Sequence, residues 1–199
     1  YIVKNRIYGV KVKFPWLRKK AYAMLNPKRV PHVKGCEKEA ARLAVRWGAD
    51  EDMAREAAIL HDITKKLSVG EQLILCEKYG ILIDDLERAS DKLLHGKTGA
   101  EIARNEFGVS EPVYEAIKWH TTGKRDMSLL EKVIYLADYI EETRNFEGVE
   151  RLRALSYENI DRAMILGLEM SIDDLNERGI TVHPNTQEAL DYLRGQIKK

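Results

Sequence analysis

The chain has 199 residues and a mass of 22.9 kDa, a length typical of one domain with room for a short additional element. Its 33 Lys and Arg residues balance 32 Asp and Glu residues, which argues against a nucleic-acid partner because duplex binding normally needs a clustered positive excess. No apolar run approaches the roughly 20 residues of a membrane span. The two cysteines do not form a CxxC pair, which excludes a disulfide scaffold or a thiolate zinc site. These features favour a soluble, cytoplasmic protein.

The first 26 residues differ in composition from the rest of the chain. Residues 1–14 are rich in β-branched and basic residues. The segment Tyr1–Tyr8 is similar to the closing residues of bacterial nicotinate-nucleotide adenylyltransferases. We therefore predict an N-terminal arm over residues 1–26, either a simple extension of the helical body or the tail of a preceding adenylyltransferase-like domain.

Helical signals dominate from residue 27 onward. Asp50 is a predicted N-cap, and the pairs Ser68–Glu71 and Ser128–Glu131 have the spacing of a capping box. Glycine follows a periodic segment, as at helix C-terminal ends, at Gly48, Gly80, Gly108, Gly123 and Gly179. The pattern predicts an all-α bundle of about eight helices, over residues 28–47, 51–66, 70–80, 96–107, 111–120, 129–142, 157–178 and 187–197.

The helix predicted to contain His61 presents small side chains beside that histidine. Positions three, four and seven residues before His61 are Ala58, Ala57 and Ala54, which share its face of the helix. Methyl groups on this face leave room for a ligand to approach the imidazole.

A carboxylate, Asp138, falls in line with the apolar residues Leu130 and Ile134 of a predicted helix. An ionised carboxylate is costly there unless a cation or several donors compensate it. Imidazole and carboxylate without thiolate are the ligands of Fe, Mn or Zn at hydrolytic sites. The candidate metal ligands, enough for one ion and part of a second, are His32, His61, Asp62, His95, His120 and Asp138. Each histidine alone could equally be structural, and Asp138 could pair with Arg144.

The order His32, His61-Asp62, Asp138 resembles the HD-domain metal-dependent phosphohydrolases, whose ligands follow the order H…HD…D on separate helices. Six segments are similar to the bacterial YqeK family of symmetrical diadenosine-tetraphosphate hydrolases: residues 29–32, 58–65, 95–100, 120–123, 130–141 and 182–186. The resemblance covers about residues 27–195 and implies an HD phosphohydrolase domain over residues 27–199. Adenylyltransferases of the kind that Tyr1–Tyr8 resembles are sometimes fused to this family.

The resemblance also implies the roles of individual residues. His32, His61, Asp62 and Asp138 would hold an iron-type centre, with Mn or Zn as alternatives, and His95 and His120 would complete a second metal position or contact phosphate. The implied nucleotide-binding residues are Arg29, Lys92, Leu93, Leu94, His95, His120, Arg144, Thr181, Val182, His183, Pro184, Asn185 and Thr186. His183 lies before a proline in a predicted loop, which favours a place in the nucleotide pocket over metal binding.

The implied reaction is hydrolysis of diadenosine tetraphosphate to two ADP. Asp62 and the metal would hold the attacking hydroxide, and Lys65, four residues after His61, would neutralise charge on the phosphate. Lys65 could equally be a solvated lysine that complements the end of its helix. ADP needs little protonation as it leaves, so no separate general acid is expected.

Three other functions stay open on the sequence. The chain could be an HD-type nucleotidase or dNTP phosphohydrolase, a catalytically silent nucleotide sensor, or a helical protein with structural histidines. The expected partners are a small-molecule nucleotide and its ADP or GDP product, with no nucleic acid and no membrane. A homodimer is left open.

Overall fold

The computed structural model describes residues 14–197, and these residues form helices and connecting turns without a strand. Eleven α-helices lie in this part of the chain: α1 (Phe14–Met24), α2 (Val30–Trp47), α3 (Glu51–Leu60), α4 (Val69–Tyr79), α5 (Asp85–Arg88), α6 (Asp91–Ile102), α7 (Glu111–Trp119), α8 (Leu129–Ile140), α9 (Val149–Glu158), α10 (Ile160–Glu177) and α11 (Pro184–Ile197). The predicted all-α class is confirmed. None of these helices combines the length and apolar character that a bilayer span requires.

Local sequence signals set the helix ends. The Asp50 side chain accepts a hydrogen bond from the Met53 backbone N–H at 2.8 Å. Both predicted capping boxes form, with Ser68 and Glu71 at the start of α4 and Ser128 and Glu131 at the start of α8. All five predicted terminal glycines have positive φ angles, a conformation that favours glycine.

The structure has three more helices than the sequence pattern indicated: α1, α5 and α9. The predicted helix over residues 157–178 divides at Asn159, whose extended backbone ends α9. The same residue starts α10, because its side chain accepts a hydrogen bond from the Arg162 N–H. The predicted helix over residues 51–66 is also shorter: α3 ends at Leu60, and residues 61–66 form turns.

Helix α1 lies within the predicted N-terminal arm and packs on the domain. Leu17 and Ala21, one turn apart, are 1% and 0% exposed and belong to the main core. Arg18 Nε donates to Glu37 Oε2 at 2.8 Å, which joins α1 to α2. The adenylyltransferase-like segment Tyr1–Tyr8 lies outside the described residues, and a domain boundary at residue 26 stays a prediction.

The core is centred on α2, α3, α7 and α8, which pack against one another. Leu43, Ile59, Ile117 and Ile134, one from each helix, are at most 1% exposed. This packing brings the start of α2, the C-terminal ends of α3 and α7 and the last turns of α8 to one place, with α6 alongside α7.

Gly96 sets the approach of α6 to α7. A Cβ atom at this position would lie 2.8 Å from the Lys118 carbonyl oxygen, which is backbone and cannot turn aside. We expect Gly96→Ala to reduce the free energy of unfolding by about 1–3 kcal/mol, the usual cost of overpacking. Gly70→Ala in α4 is the matched control, since a Cβ there has open space and alanine favours a helix by about 0.5–1 kcal/mol. Urea denaturation measures both variants, and equal stability would contradict this role of Gly96.

Candidate metal centre and nucleotide pocket

The six predicted metal ligands lie together in the interior of the bundle. His32 is in the first turn of α2, His61 and Asp62 follow α3, His95 is in α6, His120 follows α7, and Asp138 is in the last turns of α8. The side chains of the four histidines and Asp62 are at most 7% exposed, and that of Asp138 is 19% exposed. The cluster therefore reaches solvent on the side of Asp138.

Asp62 is fully buried and has a pair of imidazoles on each side. Its Oδ2 atom lies 3.3 Å from His61 Nε2 and 3.7 Å from His32 Nε2. Its Oδ1 atom lies 3.3 Å from His95 Nε2 and 3.8 Å from His120 Nε2. One carboxylate thus connects two groups of ligands.

These groups form two half-sites. In the first half-site, Asp138 Oδ1 lies 3.0 Å from His32 Nε2 and 3.9 Å from His61 Nε2, and Asp62 Oδ2 completes the set. In the second half-site, the Nε2 atoms of His95 and His120 are 2.9 Å apart and face Asp62 Oδ1. The first half-site therefore has the donors for one cation, and the second half-site has part of the donor set for another cation.

Each imidazole has an acceptor beside its Nδ1 atom. His61, His95 and His120 each have Nδ1 within 2.7 Å of the backbone carbonyl three residues earlier, on Ala58, Lys92 and Ile117. His32 has Nδ1 3.0 Å from Glu141 Oε1. These acceptors hold the proton on Nδ1 and leave the Nε2 lone pairs facing the centre, as in metal-binding histidines.

A divalent cation fits this donor set. His61 Nε2 and Asp62 Oδ1 are buried and have no well-aligned hydrogen bond. In the second half-site two lone-pair-bearing Nε2 atoms approach to 2.9 Å, a contact that is repulsive unless a cation or a shared proton lies between them. Imidazole nitrogen with carboxylate oxygen is a ligand set of Fe, Mn and Zn. The cluster therefore has the donors of a divalent-metal site.

The electrostatics favour the metal-binding protonation states of both carboxylates and of His120. At His61 burial lowers the pKa, but Asp62 and Asp138 outweigh burial and raise it. Burial opposes ionisation of Asp62, but His61 and His95 hold its pKa well below the usual range. Burial likewise opposes ionisation of Asp138, but His32, His61 and Arg144 together outweigh burial and lower the pKa of Asp138 strongly. Burial and the neighbouring imidazoles lower the pKa of His120. Ionised carboxylates and neutral imidazoles are the forms that coordinate metals.

Three cationic side chains surround the cluster. Arg29 Nε lies 2.5 Å from Asp62 Oδ2, and an Arg144 terminal nitrogen lies 2.6 Å from Asp138 Oδ1. Both arginines are about 30% exposed and border the opening. Lys65 reaches the centre from the turns after α3, with Nζ 3.0 Å from His95 Nε2. Burial lowers the pKa of Lys65, so it is not a solvated lysine at a helix end.

A cavity of about 340 Å³ adjoins the second half-site. Thr121 lines it, and its Oγ1 atom lies 3.3 Å from His120 Nε2 and 3.4 Å from His95 Nε2. Five of the implied nucleotide-binding residues line the same cavity: Lys92, Leu93, Thr181, His183 and Thr186. The sequence did not indicate the apolar contributions of Leu86, Leu175 and Ile180, because these residues are far apart in the sequence and meet only at the cavity.

Eight of the thirteen implied nucleotide-binding residues do not line this cavity. Arg29, His95, His120 and Arg144 lie at the metal centre instead, and the other four are Leu94, Val182, Pro184 and Asn185. Leu94 is 0% exposed and lies in the packed interior, and a nucleotide contact at this position stays a prediction. Val182, Pro184 and Asn185 are absent from the cavity wall. Asn185 instead contributes its backbone N–H, which donates to His183 Nδ1 at 3.2 Å.

His183 lies apart from the metal ligands, in the loop before α11. Its Nε2 atom is 2.9 Å from Asp84 Oδ2, so the side chain ties this loop to the start of α5. Asp84 and Glu87 are its acidic neighbours. The imidazole therefore has a structural partner on one side and the cavity on the other.

Sequence reasoning missed two side chains at the first half-site. Glu141, directly after α8, is 0% exposed and accepts from His32. Cys36, one turn after His32, has Sγ 3.3 Å from His32 Nε2. The sequence did contain one signal for Glu141, because this residue is the last of the segment 130–141, which resembles the YqeK family.

Comparison with known proteins agrees with the geometry. The HD domain family matches residues 29–143. The symmetrical bis(5'-nucleosyl)-tetraphosphatase of Halalkalibacterium halodurans is 38% identical over 181 residues, covering 88% of this chain and 96% of the relative. The protein of that name from Bacillus subtilis is 38% identical over 172 residues, covering 85% and 91% of the two chains.

A solved structure is similar over the same region. It is the crystal structure of a predicted HD superfamily hydrolase involved in NAD metabolism from Clostridium acetobutylicum. The TM-score is 0.89 at 36% sequence identity, and the match covers 92% of this chain and 98% of the other. The chain therefore belongs to the HD-domain family and, within that family, to the YqeK group of hydrolases.

Proposed function

We propose that this protein is a metal-dependent hydrolase that cleaves diadenosine tetraphosphate, and related dinucleoside polyphosphates, symmetrically to two ADP. The observation that carries the proposal is the buried Asp62 carboxylate between two imidazole pairs, with Arg29 and Arg144 at the opening. The relatives named as symmetrical tetraphosphatases support the substrate. We propose iron in a dinuclear site, with Mn or Zn as alternatives.

Divalent ions bound at the two half-sites would lower the pKa of an attacking water and polarise the phosphoryl oxygens. The chain's own residues supply the positioning. Asp62 fixes the spacing of the half-sites, because its two oxygens face different imidazole pairs. Thr121 lies between the second half-site and the cavity, where its hydroxyl group orients the nucleotide that occupies the cavity.

The cationic side chains bind the polyphosphate. Arg29 and Arg144 each contact a carboxylate and remain partly exposed, so their remaining N–H groups can bind phosphate oxygens in pairs. Lys65 adds a positive charge beside His95, where charge develops on the phosphoryl group. The leaving ADP carries its charge without a proton donor.

The cavity beside Thr121 receives one nucleoside half. Its wall combines apolar Leu93, Leu175 and Ile180 with hydroxyl groups, which suits a base and its ribose. Its volume of about 340 Å³ is within the usual range of small-molecule pockets.

We also propose that the partner is a small-molecule nucleotide, with ADP or GDP as product and without a nucleic-acid partner. We propose that the protein acts in the cytoplasm. A homodimer is the alternative to a monomer, and light scattering distinguishes them.

The test is product identification with metal-loaded protein. Diadenosine tetraphosphate in ¹⁸O-labelled water is expected to give only ADP, with one labelled oxygen on the terminal phosphate of half of the molecules. Formation of ATP with AMP would contradict symmetrical cleavage. Faster hydrolysis of dNTPs or nucleoside monophosphates would favour the nucleotidase alternative, and tight ADP binding without turnover would favour a sensor.

A further inference from the structure

Glu141 is a buried carboxylate outside the predicted ligand set. It follows the last residue of α8 and is 0% exposed. Its Oε1 atom lies 3.0 Å from His32 Nδ1, and its Oε2 atom accepts from the Thr143 backbone N–H at 2.7 Å. The Thr143 hydroxyl donates to Oε1 at 2.5 Å. These donors hold an ionised carboxylate in one orientation behind His32.

The opposite helix leaves space for this carboxylate. Gly35, one turn after His32 in α2, faces Glu141, and a Cβ atom at Gly35 would lie 2.2 Å from Glu141 Oε2. Any other residue at this position would displace the carboxylate or the helix. The close packing of α2 and α8 thus depends on glycine where Glu141 is inserted.

The two half-sites differ in what supports their imidazoles. His61, His95 and His120 have neutral backbone carbonyls beside Nδ1, whereas His32 has a carboxylate. A carboxylate acceptor stabilises positive charge on the ring and makes Nε2 a stronger metal ligand. Cations lie beside both half-sites, but Arg29 and Arg144 contact only carboxylate oxygens of the first. In the second half-site the Lys65 ammonium lies 3.0 Å from His95 Nε2, the metal-binding nitrogen itself, and so competes directly with a metal ion.

We propose that Glu141 is a positioning residue that makes the first half-site the tighter of two metal positions. Through His32 it adds a negative charge to the half-site that already contains Asp138. The protein therefore fills the first half-site before the second. The proposal rests on the metal dependence of the proposed function and not on its substrate.

The test is stepwise titration of metal-free protein with Mn²⁺, followed by calorimetry with a competing chelator. The wild-type protein is expected to bind in two steps of different affinity. In Glu141→Gln the amide oxygen can still accept from His32, but the charge is gone. We expect the dissociation constant of the first step to rise about 10–100-fold, as for other outer-shell partners of ligating histidines, while the second step stays within about twofold.

Glu131→Gln is the matched control, since Glu131 is a 2% exposed carboxylate at the other end of α8. It pairs with Lys124 at 2.8 Å, away from the histidines, so both metal constants should be unchanged. Thr143→Ala is the second variant, because Thr143 is exposed and its loss leaves the fold intact. It should weaken the first step in the same direction by a smaller factor.

A wild-type first dissociation constant in both Glu141→Gln and Thr143→Ala would overturn the proposal, as would equal weakening of both steps. These measurements contain no nucleotide. If metal binds in the expected order but diadenosine tetraphosphate is not hydrolysed, the proposed function fails and the role of Glu141 stands.

Discussion

Asp62→Asn is expected to abolish hydrolysis of diadenosine tetraphosphate and to release metal from both half-sites. The amide keeps the shape of the carboxylate, but it carries no charge and offers one oxygen instead of two. Both imidazole pairs face Asp62, so a single substitution weakens both cation positions together. We expect kcat to fall at least about 10³-fold, the upper range for removal of one electrostatic contributor.

Elemental analysis of the purified variant and the rate with diadenosine tetraphosphate measure these two effects. Asp161→Asn is the matched control, because Asp161 is a partly exposed carboxylate of α10 that pairs with Lys132 at 2.7 Å. Far-UV circular dichroism should show the same helix content in both variants. An Asp62→Asn protein with normal metal content and normal rate would refute the assignment of Asp62 as the shared ligand.

Arg29→Ala is expected to separate metal binding from turnover. Arg29 lies 2.5 Å from Asp62 Oδ2 and 4.0 Å from Asp138 Oδ1, so its removal leaves two ligating carboxylates without this positive neighbour. Metal should therefore bind at least as tightly as in the wild-type protein. Hydrolysis should slow about 10²–10³-fold, because a charged donor that stabilises phosphoryl charge is lost.

The measurements are the metal dissociation constant and kcat/KM on the same preparation of Arg29→Ala. Arg29→Lys should restore only part of the rate, since an ammonium cannot bind two phosphate oxygens as a planar guanidinium does. Loss of metal from Arg29→Ala would contradict the assignment, because it would make Arg29 a support of the metal centre. Full activity in Arg29→Ala would exclude a phosphate contact by this residue.

The helix ends and the ligand order could be predicted from the sequence because both depend on short-range patterns. Capping boxes at Ser68 and Ser128 and terminal glycines act within one turn of the chain. The break at Asn159 was missed, because one asparagine ends α9 and also starts α10 without an intervening linker. The helix predicted to continue to residue 66 ends at Leu60, where turns aim His61 and Asp62 inward.

The supporting contacts of the site depend on long-range packing. Glu141 contacts His32 across 109 residues of sequence, and no local pattern marks that pairing. Residues 92–95 are predicted to contact the nucleotide, but neighbouring side chains of a helix face different directions. Leu93 therefore lines the cavity, whereas Leu94 is buried.

Two helices end at the metal centre, since His61 is the C-cap of α3 and His120 is the C-cap of α7. The carbonyl end of a helix carries about half a negative charge, so the backbone itself creates a negative potential at this point. That potential attracts a divalent ion and repels a free polyphosphate. We therefore expect the ion to bind before the nucleotide, whose phosphates then contact the ion together with Arg29, Arg144 and Lys65.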